Sequence, residues 1–283
     1  WISKKTKQYY SVTKSKYSNE YITKAQLSKI SKEVDILSNL KHPSIQQFYG
    51  FVLINQIQNQ IISFSIHEYL PHKTLFNVLE EERKGNHYSL WNDTNKLKII
   101  YGIASGLAYL HSHQIKHLRL NPKNIFIDPK FEVKLTGIGE HTLINNSKAI
   151  PLSTSTCVEE NSFYLSPEQI NFENITDKSD VYSYSLVVYE IITNKLAFSL
   201  KDQKESSKLI SRIINNHYRP KLNSDIAPFY QHLLEKCWSS NIDERPSFDE
   251  ILNELERNPQ IYIDDVNSEE YFSYQESIKQ IQK

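Results

Sequence analysis

Two short stretches of the chain combine polar residue types that could take part in chemistry. Residues 115–128 read IKHLRLNPKNIFID and include Arg119, Asn121 and Asn124, and residues 133–141 read VKLTGIGEH and include Gly137. An arginine guanidinium pairs well with phosphate oxygens, but it stays protonated at physiological pH and cannot accept a proton. An asparagine amide oxygen can ligate a metal, whereas a glycine side chain offers no ligand. By residue type, Arg119 could therefore pair with an anion, but it could not act as a general base.

Composition gives no support for several classes of partner. The chain has 283 residues, with Lys plus Arg equal to Asp plus Glu at 33 each, so its bulk charge gives no argument for nucleic acid or an acidic membrane surface. No apolar run reaches the ~18 residues that a membrane span needs. The two cysteines, Cys157 and Cys237, match no metal spacing. Together with the absence of a signal peptide they predict a reducing compartment, the cytoplasm. Because the chain begins at Trp1, we interpret it as part of a longer protein.

The first part of the chain predicts strands and one helix. The segment KQYYSVTKSKY alternates polar and bulky residues, which is typical of a half-buried strand. A helix is predicted over residues 25–40, where apolar residues recur at spacings of three and four at Leu27, Ile30, Val34, Leu37 and Leu40. The segments IQQFYGFVLI and QIISFSIHEYL then predict an antiparallel pair of strands, because both are rich in aromatic and β-branched residues.

After Pro71 the pattern becomes mainly helical. A helix with Asn92 or Asp93 as its N-cap is predicted first, then two short strands, IFID and EVKLT, and later a buried helix that begins at Asp180. Residues 140–166 lack periodicity, which favours a long loop with several candidate phosphorylation sites. This order predicts an α+β fold of two lobes with a seam at residues 67–74. The boundaries that we expect are an N-lobe at 1–70, a C-lobe at 71–257 and a polar tail at 258–283.

The motifs of the chain, in their order, resemble a protein kinase domain from its third strand to its last helix. They read KEVDILSNLKHPSI, EYLPHKTL, GIASGLAYLHSH, HLRLNPKNIFID, KLTGIG, YLSPE, SDVYSYSLVVYEI and KCWSSNIDERPSFDEIL. The wording DVYSYS and CWSSNIDERPSF is most similar to the tyrosine-kinase-like branch. The resemblance implies a bilobal fold with a small, mainly β N-lobe and a large, mainly α C-lobe. It also implies that the first strands and the glycine-rich phosphate loop lie upstream of Trp1.

The positions that support the fold of this family are retained. The resemblance implies that Asp180 holds the backbone of the catalytic loop and that Glu168 forms an ion pair with Arg245. Glu33 matches the helix glutamate that pairs with a strand lysine. An apolar column between the lobes is implied for Leu37, Phe48, His117 and Ile138.

The catalytic positions have changed. The family's loop reads H-R-D-x-K-x-x-N, and its Asp accepts the proton of the attacking hydroxyl. Its Arg, Asp and Lys are replaced here by Leu118, Arg119 and Asn121. Asn124 is the one retained metal-ligand position, because Gly137 replaces the metal-binding Asp of D-F-G. The resemblance therefore leaves no catalytic residue intact and no carboxylate for Mg²⁺, so we expect no Mg²⁺ site. Glu140 is either a relocated ligand or a solvated acid at the start of a loop.

The resemblance also implies a nucleotide pocket, with ATP as its candidate ligand. The cofactor-binding positions are Lys14, Glu33, His67, Glu68, Leu70, Asn124 and Phe126. The backbone around Glu68 and Leu70, the hinge between the lobes, would offer a donor and an acceptor to adenine. A packed pocket without a ligand is the other interpretation, with His67 as gatekeeper and the bulky Phe126 as floor.

Two registers are open for the strand lysine of this pocket. Aligned on SVTK, the position is Lys14. Aligned on YSVT, it is Thr13, and Lys14 then points to the other face of the strand. Arg119 is a further candidate partner for Glu33.

We therefore expect a catalytically impaired kinase-like domain, a pseudokinase, that acts as a signalling module by presenting a surface to a protein partner. That partner is an active kinase or another domain of the same chain, and not nucleic acid or a membrane. Arg119 in place of the metal would give weak, metal-independent ATP binding. The alternative is a slow or atypical serine/threonine kinase, and a third interpretation is a structural spacer domain.

Overall fold

The computed structural model describes residues 2, 8–16, 23–56, 60–138, 160–171, 173, 175–257 and 266–281. Its N-lobe holds a three-stranded antiparallel sheet in the order β1-β3-β2, together with one helix. The strands and the helix are β1 (Tyr10–Lys16), α1 (Lys24–Asn39), β2 (Phe48–Gln56) and β3 (Gln60–Glu68). These elements confirm the predicted strands and helix of the first 70 residues.

Helix α1 begins at a capping box. The Thr23 hydroxyl accepts a hydrogen bond from the Gln26 amide N–H, and the Gln26 side chain accepts one from the Thr23 N–H, so two N–H groups at the helix start are satisfied. Ile30 and Leu37 are buried, as the apolar stripe predicts. Leu27 is 45% exposed, however, so its assignment to the stripe was wrong and burial starts one turn later, at Ile30.

The C-lobe consists of helices and one small sheet in the order β4-β5-β6. Its strands are β4 (Lys73–Thr74), β5 (Ile125–Ile127) and β6 (Val133–Leu135). Its α-helices are α2 (Leu75–Arg83), α3 (Asp93–Ser112), α4 (Pro167–Asn171), α5 (Lys178–Thr193), α6 (Leu200–Lys204), α7 (Ser206–Asn215), α8 (Pro228–Cys237), α9 (Phe248–Arg257) and α10 (Ser268–Ile281). Short 3₁₀ turns lie at Pro122–Asn124, Glu160–Tyr164 and Ile242–Glu244.

Two long helices form the centre of the C-lobe. Asn92 caps α3 by accepting a hydrogen bond from the Asn95 N–H, which decides between the two predicted caps. Helix α5 is buried on nearly every side, as predicted from its apolar sequence. None of the described helices combines the length and the apolar character that crossing a bilayer requires.

The C-terminal helix differs from the polar tail predicted for residues 258–283. Helix α10 packs along α3 and buries Tyr271, Tyr274 and Ile278. Gly102 of α3 permits this close approach, because a Cβ there would collide with the Tyr274 hydroxyl. Polar contacts add to the packing, since the Lys98 ammonium lies 3.1 Å from the Glu270 carboxylate. The last helix is therefore part of the folded C-lobe.

Candidate functional site

The loop before β5 is held by one buried carboxylate at the start of α5. Asp180 accepts hydrogen bonds from the backbone N–H groups of His117, at 2.8 Å, and Leu118, at 2.6 Å. A ring nitrogen of His111 lies 2.9 Å from the same carboxylate. Leu118 adopts a φ of 61°, a left-handed conformation that is uncommon for a non-glycine residue. The role expected for Asp180 is thus confirmed: it fixes the backbone of this loop.

The loop turns around the main-chain carbonyl of Arg119. The side-chain amides of Asn121 and Asn124 both donate to this oxygen at 2.8 Å. The Asn121 amide oxygen also accepts a hydrogen bond from the Lys123 N–H and caps the 3₁₀ turn. Both asparagine NH₂ groups are therefore engaged with the backbone of the loop itself.

Gly137 lies directly beside the Asn124 side chain. Gly137 has a φ of 82°, and a Cβ at this position would lie 3.3 Å from the Asn124 amide nitrogen. The Thr136 N–H donates to the Asn124 carbonyl at 2.9 Å, which joins the two segments. The two metal-ligand positions of the family thus meet here, and neither carries a charge.

These residues do not suit Mg²⁺, which prefers carboxylate oxygens. Within the part of the chain that the structure describes, no group of three or more His, Cys, Asp or Glu side chains could hold a metal ion. Glu140, the relocated ligand that we considered, lies outside the described residues, as do residues 140–159 of the loop predicted over 140–166. The described end of that segment contains the 3₁₀ turn Glu160–Tyr164.

Strand pairing distinguishes the two registers of the strand lysine. Thr13 pairs with Ser65 and Lys14 with Phe64, so Thr13 shares a face of the sheet with Ser65 and, two residues on, with His67. Ser65 and His67 are buried, whereas the side chains of Thr13 and Lys14 are both exposed. The pairing thus puts Thr13, and not Lys14, on the face of His67, while both residues stay predictions for the position of the strand lysine. Glu33 lies half-buried on α1.

The hinge positions lie at the end of β3. The His67 ring packs edge-on against Phe48 with a 5.3 Å centroid separation, and burial lowers the pKa of His67 to about 4. The Glu68 carboxylate accepts from the Gln47 N–H at 3.1 Å and lies 3.0 Å from the Lys134 ammonium. Leu70 and Phe126 are both half-buried.

The space behind the gatekeeper is almost filled. A cavity of only about 10 Å³ remains there, which is room for roughly one water molecule. Its lining includes Leu37, Gln46, Phe48, His67 and Gly137. Of the predicted cofactor-binding positions, His67 lines this cavity, where its ring packs against Phe48. A larger cavity, of about 540 Å³, lies between α3 and α10, away from these residues.

The ion pair that supports the lower part of the site is present as predicted. The Arg245 guanidinium contacts both oxygens of Glu168, at 2.7 and 3.1 Å. Burial acts to raise the pKa of the Glu168 carboxyl, but the hydrogen bond and charge of Arg245 outweigh it, so the net pKa is lowered. This pair fixes α4 against the 3₁₀ turn that precedes α9.

Sequence reasoning missed two glutamines that tie these segments together. The Gln169 side chain donates to the Leu118 carbonyl at 2.9 Å and so links α4 to the catalytic-type loop. The Gln46 side chain donates to the Glu68 carbonyl at 2.8 Å. The sequence signal for either was weak, because each only adjoins a recognised motif.

Because two histidines are buried, we expect the protein to lose stability in mild acid. Burial, assisted by the charge of Lys134, lowers the pKa of His42 to about 4, and burial lowers that of His67 to about 4. In the unfolded chain, a histidine takes up a proton near pH 6.5. The stability that each buried, neutral histidine contributes to the fold is therefore complete above that pH and is lost as the pH falls towards 4. At pH 5 we expect each of these two histidines to cost roughly 2 kcal/mol of unfolding free energy.

Urea unfolding at pH 7 and pH 5 measures this loss. In a His67→Leu variant, the difference in the free energy of unfolding between pH 7 and pH 5 should be smaller by roughly 2 kcal/mol. Replacement of the exposed His113 by Gln serves as the control and should leave the difference unchanged. An equal pH dependence in wild type and His67→Leu would contradict the expectation.

Comparison with known proteins agrees with the geometry. Residues 2–255 match the sequence profile described as "Protein tyrosine and serine/threonine kinase". The chain is 29% identical over 240 residues to the probable serine/threonine-protein kinase drkD of Dictyostelium discoideum, covering 84% of this chain and 17% of that protein. It is 32% identical over 228 residues to the dual specificity protein kinase pyk3 of the same organism, covering 81% and 16%.

A plant relative gives the same result. Serine/threonine-protein kinase 12 of Arabidopsis thaliana is 31% identical over 238 residues, covering 82% of this chain and 48% of that protein. The chain thus spans less than half the length of each of these relatives. Since the profile covers nearly all of the chain, including both lobes and the loop held by Asp180, the chain belongs to the protein kinase family.

Proposed function

We propose that this kinase domain is a pseudokinase of the tyrosine-kinase-like branch and acts as a regulatory interaction module. The observation that carries the proposal is the pair of Gly137 and Asn124, the two metal-ligand positions, which offer no carboxylate between them. Arg119 supports it, because a guanidinium at the position of the catalytic base cannot take a proton from a hydroxyl. Loss of a general base alone costs about 10²–10⁴ in rate.

The retained framework supports an interaction role. Asp180 still orders the loop, and Glu168 still pairs with Arg245, so the shape of the domain is maintained by the same contacts that an active member needs. A folded domain with this shape and without its chemistry suits binding to a protein partner, either an active kinase or another domain of the same chain. The motifs DVYSYS and CWSSNIDERPSF support the assignment to the branch.

ATP binding in this proposal is weak and independent of metal. Arg119 is the residue that would contact the phosphates, because its guanidinium supplies the positive charge that Mg²⁺ supplies in active members. The proposal adopts the register with Thr13 at the position of the strand lysine, which leaves one cation fewer in the same region.

A slow serine/threonine kinase is the second candidate, and the names of the relatives favour it. Several are designated serine/threonine or dual specificity kinases. In this alternative the catalytic carboxylates are relocated, for example to Glu140.

Phosphate transfer from labelled ATP separates the two candidates. We expect wild-type protein, incubated with a serine/threonine peptide and either Mg²⁺ or Mn²⁺, to incorporate no phosphate above a protein-free blank. Asn124→Ala and Asn121→Ala form a matched pair, because both amides donate to the Arg119 carbonyl but only Asn124 occupies a metal-ligand position. The pseudokinase proposal would be overturned in favour of the enzyme if the wild-type protein transfers phosphate, Asn124→Ala abolishes this transfer and Asn121→Ala preserves it.

A further inference from the structure

The connection between α1 and β2, residues 40–47, is attached to α3 of the C-lobe. The Lys41 N–H donates to the Tyr109 hydroxyl of α3 at 3.0 Å. A ring nitrogen of His42 lies 3.3 Å from the Ser105 hydroxyl, and both of these side chains are buried. Because the connection follows directly after the last turn of α1, the C-terminal end of that helix is restrained by the C-lobe.

Two glycines one turn apart on α3 bring α10 to the same place. A Cβ at Gly106 would lie 3.3 Å from the Cβ of Ser44, which belongs to the connection. A Cβ at Gly102 would collide with the Tyr274 hydroxyl of α10. Since residues four apart on a helix share a face, Ser44 and Tyr274 lie next to each other along one side of α3.

The Tyr274 hydroxyl also contacts the connection itself. Tyr274 is buried, and burial together with the charge of Glu132 raises the pKa of its hydroxyl. Hydrogen bonds with the Ser44 side chain and the Val133 backbone act to lower that pKa. Helix α10 is therefore joined to the α1–β2 connection and is not only packed on α3.

The N-terminal end of α10 is held by polar contacts beside a cavity. The Asn267 N–H donates to the Thr94 hydroxyl at 2.8 Å, and the half-exposed Glu270 carboxylate pairs with Lys98. The cavity of about 540 Å³ borders these contacts. A polar contact that water can reach contributes little net stability, because water can replace either partner. This end of α10 is thus the part that another protein could displace at the lowest cost.

We propose that α10 controls the mobility of α1: its docking on α3 determines how firmly the α1–β2 connection is held against the C-lobe. A protein that displaces the accessible end of α10 would loosen the contact between Tyr274 and Ser44 and so free the end of α1. The N-lobe would then present a different surface. This coupling goes beyond the proposed function, because it is a property of the packing and applies to an enzyme and a pseudokinase alike.

Hydrogen–deuterium exchange of the whole chain, followed by mass spectrometry, tests this coupling. Tyr274→Phe removes the hydroxyl and keeps the ring. Tyr271→Phe is the matched control, because it removes the hydroxyl of a buried tyrosine on the same helix that donates to the Leu255 carbonyl at the end of α9. Peptides that cover residues 41–46 report on the connection. Peptides from α5, which is buried on nearly every side, report on opening of the whole domain.

We expect Tyr274→Phe to speed exchange within residues 41–46 by roughly two- to tenfold relative to α5, the range that loss of one hydrogen bond produces. Tyr271→Phe should leave this ratio unchanged. Ser44→Ala should reproduce the effect, and combining it with Tyr274→Phe should add little, because the two variants remove the same contact.

Three results would contradict the coupling: an unchanged ratio in Tyr274→Phe, an equal increase in Tyr271→Phe, or additive effects of Ser44→Ala and Tyr274→Phe. Each of these results is read from backbone exchange alone. Failure of the coupling is therefore distinguishable from failure of the pseudokinase assignment, which appears as phosphate transfer.

Discussion

Replacing Arg245 with alanine is expected to lower the free energy of unfolding by about 3 to 5 kcal/mol. The guanidinium is buried and contacts both oxygens of Glu168, and it also donates to the carbonyls of Ser239, at 2.9 Å, and Lys178, at 3.1 Å. Its removal leaves the Glu168 carboxylate buried beside a cavity without its counter-ion, which is the costly outcome. Urea unfolding at pH 7 measures the change.

A double replacement separates the ion pair from the packing. In Arg245→Met with Glu168→Leu, both charges are gone and the volume is nearly retained, so most of the lost stability should return. If Arg245→Ala alone costs less than about 1 kcal/mol, the range of an ordinary surface pair, the ion pair does not have the stabilising role described here.

Replacing Tyr271 with alanine is expected to cost about 3 to 5 kcal/mol, the range for deleting a large aromatic side chain from a core. Tyr271 on α10 is fully buried, and its ring packs edge-on against Tyr101 of α3 at 6.0 Å between centroids. Its hydroxyl also donates to the Leu255 carbonyl at 3.3 Å. The variant therefore tests whether the last helix is integral to the domain.

The neighbouring residue gives the control. Phe272 is 48% exposed on the same helix, so Phe272→Ala removes an aromatic ring of similar size with little loss of burial and should cost well under ~1 kcal/mol. Similar losses for the two variants would mean that α10 is not docked on α3 in solution as it is in the structure.

The framework of the fold could be predicted because its signals are local. The stripe on α1 and the all-round apolar sequence of α5 are readable from residue type and spacing, whereas the ion pair of Glu168 and Arg245 was implied by the resemblance to the kinase family. The strand register could not be decided in this way. Thr13 and Lys14 are adjacent, and only their pairing with Ser65 and Phe64 shows which one shares the face of His67.

Other features depended on contacts that leave no pattern in the sequence. Gln46 and Gln169 act through side-chain hydrogen bonds to main-chain carbonyls that are distant in the sequence. The sequence does not show whether a glutamine side chain makes such a bond or is solvated. Helix α10 did carry a signal, since Tyr271, Tyr274 and Ile278 recur at helical spacing. The polar residues between them obscured this signal. Gly102, which leaves room for the Tyr274 hydroxyl, is far from that helix in the sequence.

The left-handed backbone of Leu118 has a consequence for how this domain would act in a cell. Asp180 still imposes the path of the loop, so a binding partner that recognises the contour of the main chain would meet the outline of a working enzyme. Under the proposed function, such a molecule would act as a decoy. Its effect would then depend on how many copies are present, whereas the effect of a catalyst also accumulates with time.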